Sequence, residues 1–152
     1  MTVSAAKPNP ALAIADIADA DLAAVIALWQ ACGLTRPWND PTADIALARR
    51  GPNSTILIGR DGDAIVATAM VGHDGHRGWV YYVAVDPDWR MKGFGSAMMD
   101  AAEAWLRAAG VPKLQLLVRR ENAKAGAFYQ SIGYEEAHTV VFAKWIDGRA
   151  KT

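Results

Sequence analysis

The segment from Trp79 to Ser96 constrains the fold of this chain most tightly. Trp79-Val80-Tyr81-Tyr82-Val83-Ala84-Val85 carries large residues on both faces, the pattern of a strand covered on both sides. Asp86-Pro87 stops it. Apolar residues then recur at helical spacing, at Phe94, Ala97, Met98, Ala101, Trp105 and Ala108, until Gly110 and Pro112 close the pattern. A strand, a short turn and a long helix are therefore expected, with Gly93 and Gly95 in the first turn of the helix. A helix start of this kind presents unpaired N–H groups and the positive end of the helix dipole, which together favour an anion.

The flanking sequence supplies the rest of a sheet. Ala11 to Ile17 reads as a first strand, and Asp19 or Asp21 as the cap of a helix burying Leu22, Val25, Ile26 and Trp29. Gly33 ends that helix, a loop with two prolines follows, and a second helix is expected over about Thr42 to Arg50. Ser54 to Arg60 and Ala64 to Val71 flank Asp61-Gly62, a strong hairpin signal. Beyond the long helix, Lys113 to Arg119 reads as a strand. Asn122 reads as the cap of a helix with Ala125, Phe128, Tyr129 and Ile132 on one face. Glu136 to Ile146 alternates like a final strand. The order β-α-α-β-β-β-α-β-α-β predicts an α/β (α+β) fold: a mixed, mostly antiparallel sheet with helices on both faces.

Composition limits what such a chain can do. Its 152 residues suit one domain, expected over residues 11–147, behind a polar leader of residues 1–10 expected to be flexible. With 16 basic and 16 acidic residues the formal charge is zero, which argues against nucleic acid as the main partner. The one cysteine, Cys32, excludes an internal disulfide and sits at the end of an apolar helix, so a packed thiol is expected. The leader lacks a basic cluster followed by an apolar run, and no stretch approaches spanning length. A cytoplasmic protein without a membrane partner is expected.

Three readings of the glycine turn compete. A nucleotide P-loop would need Gly-Lys-Ser/Thr after four intervening residues, and that is absent. A dinucleotide fold would want a third glycine or alanine where Met98 stands, in a first β-α turn rather than after several antiparallel strands. The plain alternative is a turn that simply needs glycines.

Context decides between them. Val83-Ala84-Val85-Asp86-Pro87-Asp88-Trp89-Arg90-Met91-Lys92-Gly93-Phe94-Gly95-Ser96 resembles the core motif of the GCN5-related N-acetyltransferase (GNAT) superfamily, a strand followed by Arg/Gln-x-x-Gly-x-Gly/Ala opening a helix. Asn122-Ala123-Lys124-Ala125-Gly126-Ala127-Phe128-Tyr129-Gln130-Ser131-Ile132-Gly133-Tyr134 resembles a second family block, in the same order and at the same separation. Gly33-Leu34-Thr35-Arg36-Pro37-Trp38-Asn39-Asp40-Pro41 together with Asp74-Gly75-His76-Arg77-Gly78 resembles a small bacterial branch of general acetyltransferases close to the ribosomal-protein alanine acetyltransferases.

The resemblance implies an acyltransferase that uses acetyl-coenzyme A and passes acetyl to a primary amine in a ternary complex. The amine would belong to a small molecule, an amino acid or a peptide N-terminus. The implied alternative is a non-catalytic acyl-coenzyme A sensor on the same fold. In the family, the strand residues equivalent to Val83, Ala84 and Val85 pair with the pantetheine arm, and the diphosphate sits on the segment Arg90, Met91, Lys92, Gly93, Phe94, Gly95 and Ser96. Asn122 falls where the family often binds the arm, and as a residue it also reads as a plain helix cap. Phe128 either packs near the arm or in the core. Tyr129 matches the tyrosine beside the coenzyme sulfur, where a phenol can protonate the leaving thiolate; its alternative is a core aromatic. Several relatives that acetylate protein N-termini carry Glu where this chain has Leu117, so that base does not carry over.

The acceptor side is read from Trp38, Asn39 and Asp40 in the proline-bounded loop, and from His73, His76 and Tyr81, with Asp74, Tyr82 and Glu121 as further polar groups. An indole beside a carboxylate suits a cationic amine, and equally an indole can pin a loop. Arg36 and Arg77 would suit a carboxylate on the same acceptor. Two histidines three residues apart, with no further ligands, do not make a metal site. The family resemblance also admits a homodimer.

Overall fold

The computed structural model describes residues 12–149. The expected leader lies outside them, as does Ala11. The chain divides in sequence into two compact units, Met1–Leu116 and Leu117–Thr152.

The first unit holds one five-stranded sheet in the order β1-β2-β3-β4-β5, with β1 Leu12–Asp16, β2 Ser54–Asp61, β3 Ala64–His73, β4 Gly78–Val85 and β5 Leu114–Gln115. Neighbours are antiparallel except β4 and β5, which are parallel. The mixed, mostly antiparallel fold expected from the sequence is therefore present. The β2–β3 hairpin closes with Asp61 opposite Ala64, so the turn residues are Gly62 and Asp63, one position later than the dipeptide signal suggested. Gly62 alone there takes a positive φ, +59°.

Pleating sends alternate residues of β2 to opposite faces. Ile56 and Ile58 pack with Val25, Leu28 and Trp29 of α1 (Leu22–Ala31) and with Ile45 and Ala48 of α2 (Pro41–Arg49). On the other face, α3 (Phe94–Ala108) buries Phe94, Met98, Met99, Ala102 and Leu106. Each such large side chain contributes about 1.5–3 kcal/mol through removal from water. The buried stripe differs from the expected one: Leu106 is buried, whereas Trp105 is half-buried and Ala108 exposed. Trp105 instead flanks the sheet, its ring 6.3 Å from that of His73.

Local chemistry fixes the helix starts. Asp40 caps α2, its Oδ1 accepting from Thr42 N at 3.0 Å and Ala43 N at 3.3 Å, with Pro41 as first helical residue. Asp21 does not cap α1 with its side chain. Its carboxylate accepts from Ala18 N at 2.8 Å and pairs with Arg60 on β2, tying the short 3₁₀ turn Asp19–Asp21 to the sheet.

The second unit contains α4 (Ala123–Ser131) and irregular chain. Two sequence expectations fail here and at the boundary. The strand expected over Lys113 to Arg119 is limited to Leu114–Gln115, and Glu136 to Ile146 forms no strand. Alternation says which way a residue would face in a sheet, but a strand exists only where a neighbour takes its N–H and C=O groups. Residues 136–146 have no such neighbour among the described residues, and Val140, Val141, Phe142 and Ile146 are exposed.

Close approach of β2 and β3 leaves one position with no room for a methyl group. A Cβ on Gly72 would stand 2.7 Å from Ser54 Cβ and 3.0 Å from the Asn53 carbonyl oxygen, which belongs to backbone and cannot swing away. Gly72→Ala is expected to destabilise the protein by about 1–3 kcal/mol through overpacking, read by denaturant unfolding. A midpoint and slope equal to wild type would contradict this packing.

Candidate functional site

The turn after β4 is built from local hydrogen bonds. Asp86 N donates to Val66 O on β3 at 2.8 Å, and the Asp86 carboxylate accepts from Asp88 N at 2.9 Å. This fixes a short 3₁₀ turn, Pro87–Trp89, whose Trp89 ring lies 6.3 Å from Phe94. Arg90 is extended, Met91 takes φ +67° and Gly93 takes φ +79° as the N-cap of α3. A non-glycine residue in the left-handed region stores about 1–3 kcal/mol of strain, a pattern concentrated at binding and catalytic loops.

Gly93 brings no side-chain cap to α3, and the helical ladder begins with Ala97 N donating to Gly93 O at 3.0 Å. The amides of Phe94, Gly95 and Ser96 thus precede the ladder, at the positive end of a 15-residue helix. Left-handed residues alternating with others make a concave nest of N–H groups suited to an anion. A Cβ on Gly93 would meet nothing within 4 Å, so backbone conformation, not crowding, requires glycine, and the approach to the amides is open. Arg90 and Lys92 are exposed beside it, and Arg90 Nε donates to Val85 O at 3.4 Å. This combination fits a diphosphate.

The strand leading into the turn has one free edge. β4 pairs with β5 only through Gly78↔Leu114 and Trp79↔Gln115, so from Val80 onward the edge away from β3 has no strand partner among the described residues. On the β3 side, Tyr81 faces Met70 and Ala84 faces Thr68, so Tyr82 and Val83 together oppose Ala69. This is a β-bulge, with Tyr82 at φ +50°. It reverses the phase of the strand. Before the bulge, Gly78 N points away from β3, to Lys113 O at 2.8 Å; after it, Asp86 N points toward β3. By alternation, Val83 and Val85 direct their backbone groups off the free edge, while Ala84 faces β3. Val85 O is taken by the Cys32 thiol at 3.3 Å and by Arg90, and burial pushes that thiol up, as expected of a packed cysteine. Val83 presents an edge amide and carbonyl able to pair with an extended amide chain.

The acceptor candidates are distributed along this unit. Trp38 and Asn39 are half-buried in the α1–α2 loop, and Asp40 spends its Oδ1 on the helix cap. Arg36 folds onto its own loop, donating to Gly33 O at 2.7 Å and Thr35 O at 2.9 Å. Tyr81 is half exposed on β4, and burial of its phenol raises it. His73 and His76 sit at the β3–β4 turn, opposite the glycine turn along β4; seven strand steps separate the ends, about 23 Å. Asp74 organises that turn: its carboxylate accepts from Arg77 N, His76 N and Trp79 Nε1, and those bonds hold it down at about 2.

In the second unit, Asn122 caps α4, its Oδ1 accepting from Ala125 N at 3.1 Å. Phe128 and Tyr129 meet edge to face at 5.0 Å, and Tyr129 meets Tyr134 at 5.9 Å. Burial raises the Tyr129 phenol above its ordinary 10.0, so it keeps its proton at neutral pH.

Sequence reasoning missed the support behind the bulge. Thr68, buried on β3, accepts from Trp29 Nε1 at 2.9 Å and donates to Tyr82 O at 2.8 Å. Trp29 and Tyr82 stack with centroids 3.8 Å apart, and Tyr82 OH donates to Asp44 of α2 at 2.7 Å. No residue pattern announces these contacts, since Thr68 and Trp29 read as ordinary members of apolar runs.

Comparison with known proteins agrees with the geometry. The family model described as Acetyltransferase (GNAT) family matches residues 20–134. An acetyltransferase of Yersinia enterocolitica is 40% identical over 124 residues, covering 82% of this chain and 88% of that protein. An acetyltransferase of Yersinia pestis is equally similar over the same shares. Among solved structures, the ribosomal-protein-S18-alanine N-acetyltransferase from Escherichia coli aligns with TM-score 0.72 and 28% identity, covering 83% of this chain and 79% of that one. An aminoglycoside N-acetyltransferase in complex with CoA aligns with TM-score 0.77 over 89% and 95% of the two chains; at 17% identity it speaks for the fold alone. With a family match over most of its length and relatives 40% identical, the chain belongs to the acetyltransferase (GNAT) family and is an acetyltransferase enzyme.

Proposed function

We propose that residues 11–147 act as one catalytic domain that transfers acetyl from acetyl-coenzyme A to a primary amine by direct attack in a ternary complex. The observation that carries this reading is the uncapped start of α3, with Met91 and Gly93 in left-handed conformations, directly after the free edge of β4. The family match spans residues 20–134 and so includes both the turn and α4.

Acetyl-coenzyme A supplies a thioester whose carbonyl carbon a neutral amine can attack. The amides from Met91 to Ser96 hold its diphosphate, with Arg90 and Lys92 adding positive charge. Val83 pairs with the pantetheine arm as an added strand would, and Asn122 and Phe128 steady the arm. Ala84, expected on that edge, instead turns its backbone to β3, and Val85 keeps only its amide for the edge because its carbonyl is taken by Cys32 and Arg90. The Val83 N–H polarises the thioester carbonyl. As the C–N bond forms and the C–S bond breaks, Tyr129 donates its proton to the departing sulfur, and the proton that the attacking nitrogen loses passes to solvent, from which the tyrosinate is reprotonated. Its burial-raised phenol suits an acid in this step. Trp38, Asn39 and Tyr81 border the amine.

Turnover is measured as thiol release from acetyl-coenzyme A across an amine panel that includes a peptide beginning with alanine and an aminoglycoside, with intact-mass detection of the product. Tight coenzyme binding without acceptor-dependent release would contradict transfer and favour a sensor. Tyr129→Phe is expected to lower turnover about 10²-fold while coenzyme affinity stays unchanged. Because burial raises this phenol from its ordinary value, its protonated form persists throughout the neutral range, and the rate should show no decline from this group there. Wild-type turnover in the Phe variant removes the assigned role.

Gly93→Ala forces a Cβ into the left-handed region, at a cost of about 1–2 kcal/mol. Relief of that strain rotates the N–H groups at the helix start out of their nest. Calorimetry should show weaker coenzyme binding with the fold intact; unaltered affinity would separate this turn from the diphosphate.

A further inference from the structure

The bulge in β4 is an expensive feature with an elaborate support. A tyrosine at φ +50° costs about 1–2 kcal/mol relative to the right-handed or extended regions, so something must hold it there. Three contacts on Tyr82 do so from three elements: the ring by Trp29 of α1, the carbonyl by Thr68 of β3, and the hydroxyl by Asp44 of α2. Thr68 is fully buried and uses its single hydroxyl in both directions, accepting from an indole and donating to the Tyr82 carbonyl. The Tyr82 carbonyl is thereby turned out of the strand plane into the α1 side of the sheet. The next residue is Val83, whose outward amide exists only because the strand has changed phase.

We propose that Thr68, together with Trp29, Tyr82 and Asp44, forms a positioning network for the transfer reaction, holding the bulge that aims the Val83 amide off the edge of β4. This rests on the reading above, in which Val83 meets the acetyl end of the coenzyme. None of the four side chains needs to touch substrate. Thr68 is the keystone, because one hydroxyl links the stacked indole to the strained carbonyl. The Tyr82–Asp44 bond is the outer tie, joining the bulge to the helix that follows the acceptor loop.

The test needs no acceptor. Uniformly ¹⁵N-labelled full-length protein is titrated with acetyl-coenzyme A and, separately, with adenosine 3′-phosphate 5′-diphosphate, which lacks the pantetheine arm. In wild type, both ligands should shift the amides of Phe94 to Ser96, and only acetyl-coenzyme A should shift Val83. Thr68→Val keeps the shape and removes both hydrogen bonds; its α3 amides should respond as in wild type while the Val83 response is lost. Thr68→Ser, which restores the hydroxyl, should recover it. A merely structural role would lower thermal stability without separating the two sets of amides. If Thr68→Val fails to fold, Tyr82→Phe keeps the ring stack, loses only the Asp44 tie, and should weaken the Val83 response alone. A Val83 response equal to wild type in the folded variant overturns the positioning role while leaving coenzyme binding in place. Absence of any α3 response in wild type instead overturns the binding reading, and this proposal with it.

Discussion

One hydroxyl group carries more of this structure than its size suggests. Thr68 lies in the middle of the sheet with no access to water, and each of its hydrogen-bonding roles is taken by a group from a different element. Losing such a bond in a buried setting costs more than making it gains, because the abandoned partner is left without water. The bond to Tyr82 O therefore stabilises a backbone conformation that the tyrosine would not adopt unaided. From that conformation follow the phase change of β4, the outward face of Val83, and the direction in which the strand delivers the chain to the turn at Asp86.

In the proposed reaction the turn and the edge act on different parts of one elongated ligand. There the start of α3 would recognise negative charge through backbone dipoles, which demand no particular side chain and tolerate exposed neighbours such as Met91. The edge of β4 would recognise an extended amide chain through strand pairing. The first would give affinity and the second alignment, which is the division an acyl transfer needs: attack on a thioester is accelerated by placing and polarising a carbonyl rather than by gripping it harder.

Much of this was legible in the sequence where local chemistry and periodicity agreed. The Asp61-Gly62 signal placed a hairpin, displaced by one residue in its turn, the second helix was expected within a residue of its observed bounds, and Asn122 marked the start of α4. The glycine turn was readable because Gly93 serves a backbone conformation that other residues resist. What stayed hidden depended on partners distant in sequence. The bulge was invisible because nothing about a Tyr-Tyr pair in a strand predicts a left-handed residue, and because its supports come from positions 29, 44 and 68. Asp40 read as a charge for an acceptor, yet its Oδ1 serves as a helix cap. The alternation of Glu136 to Ile146 described a strand that has no partner among the described residues.

The proposed transfer requires main-chain amides to grip a diphosphate. A crystal structure of the protein with acetyl-coenzyme A tests this most directly. Diphosphate oxygens should then lie within hydrogen-bonding distance of the amides between Met91 and Ser96. Density that puts the diphosphate elsewhere on the protein, with those amides facing solvent, would contradict it.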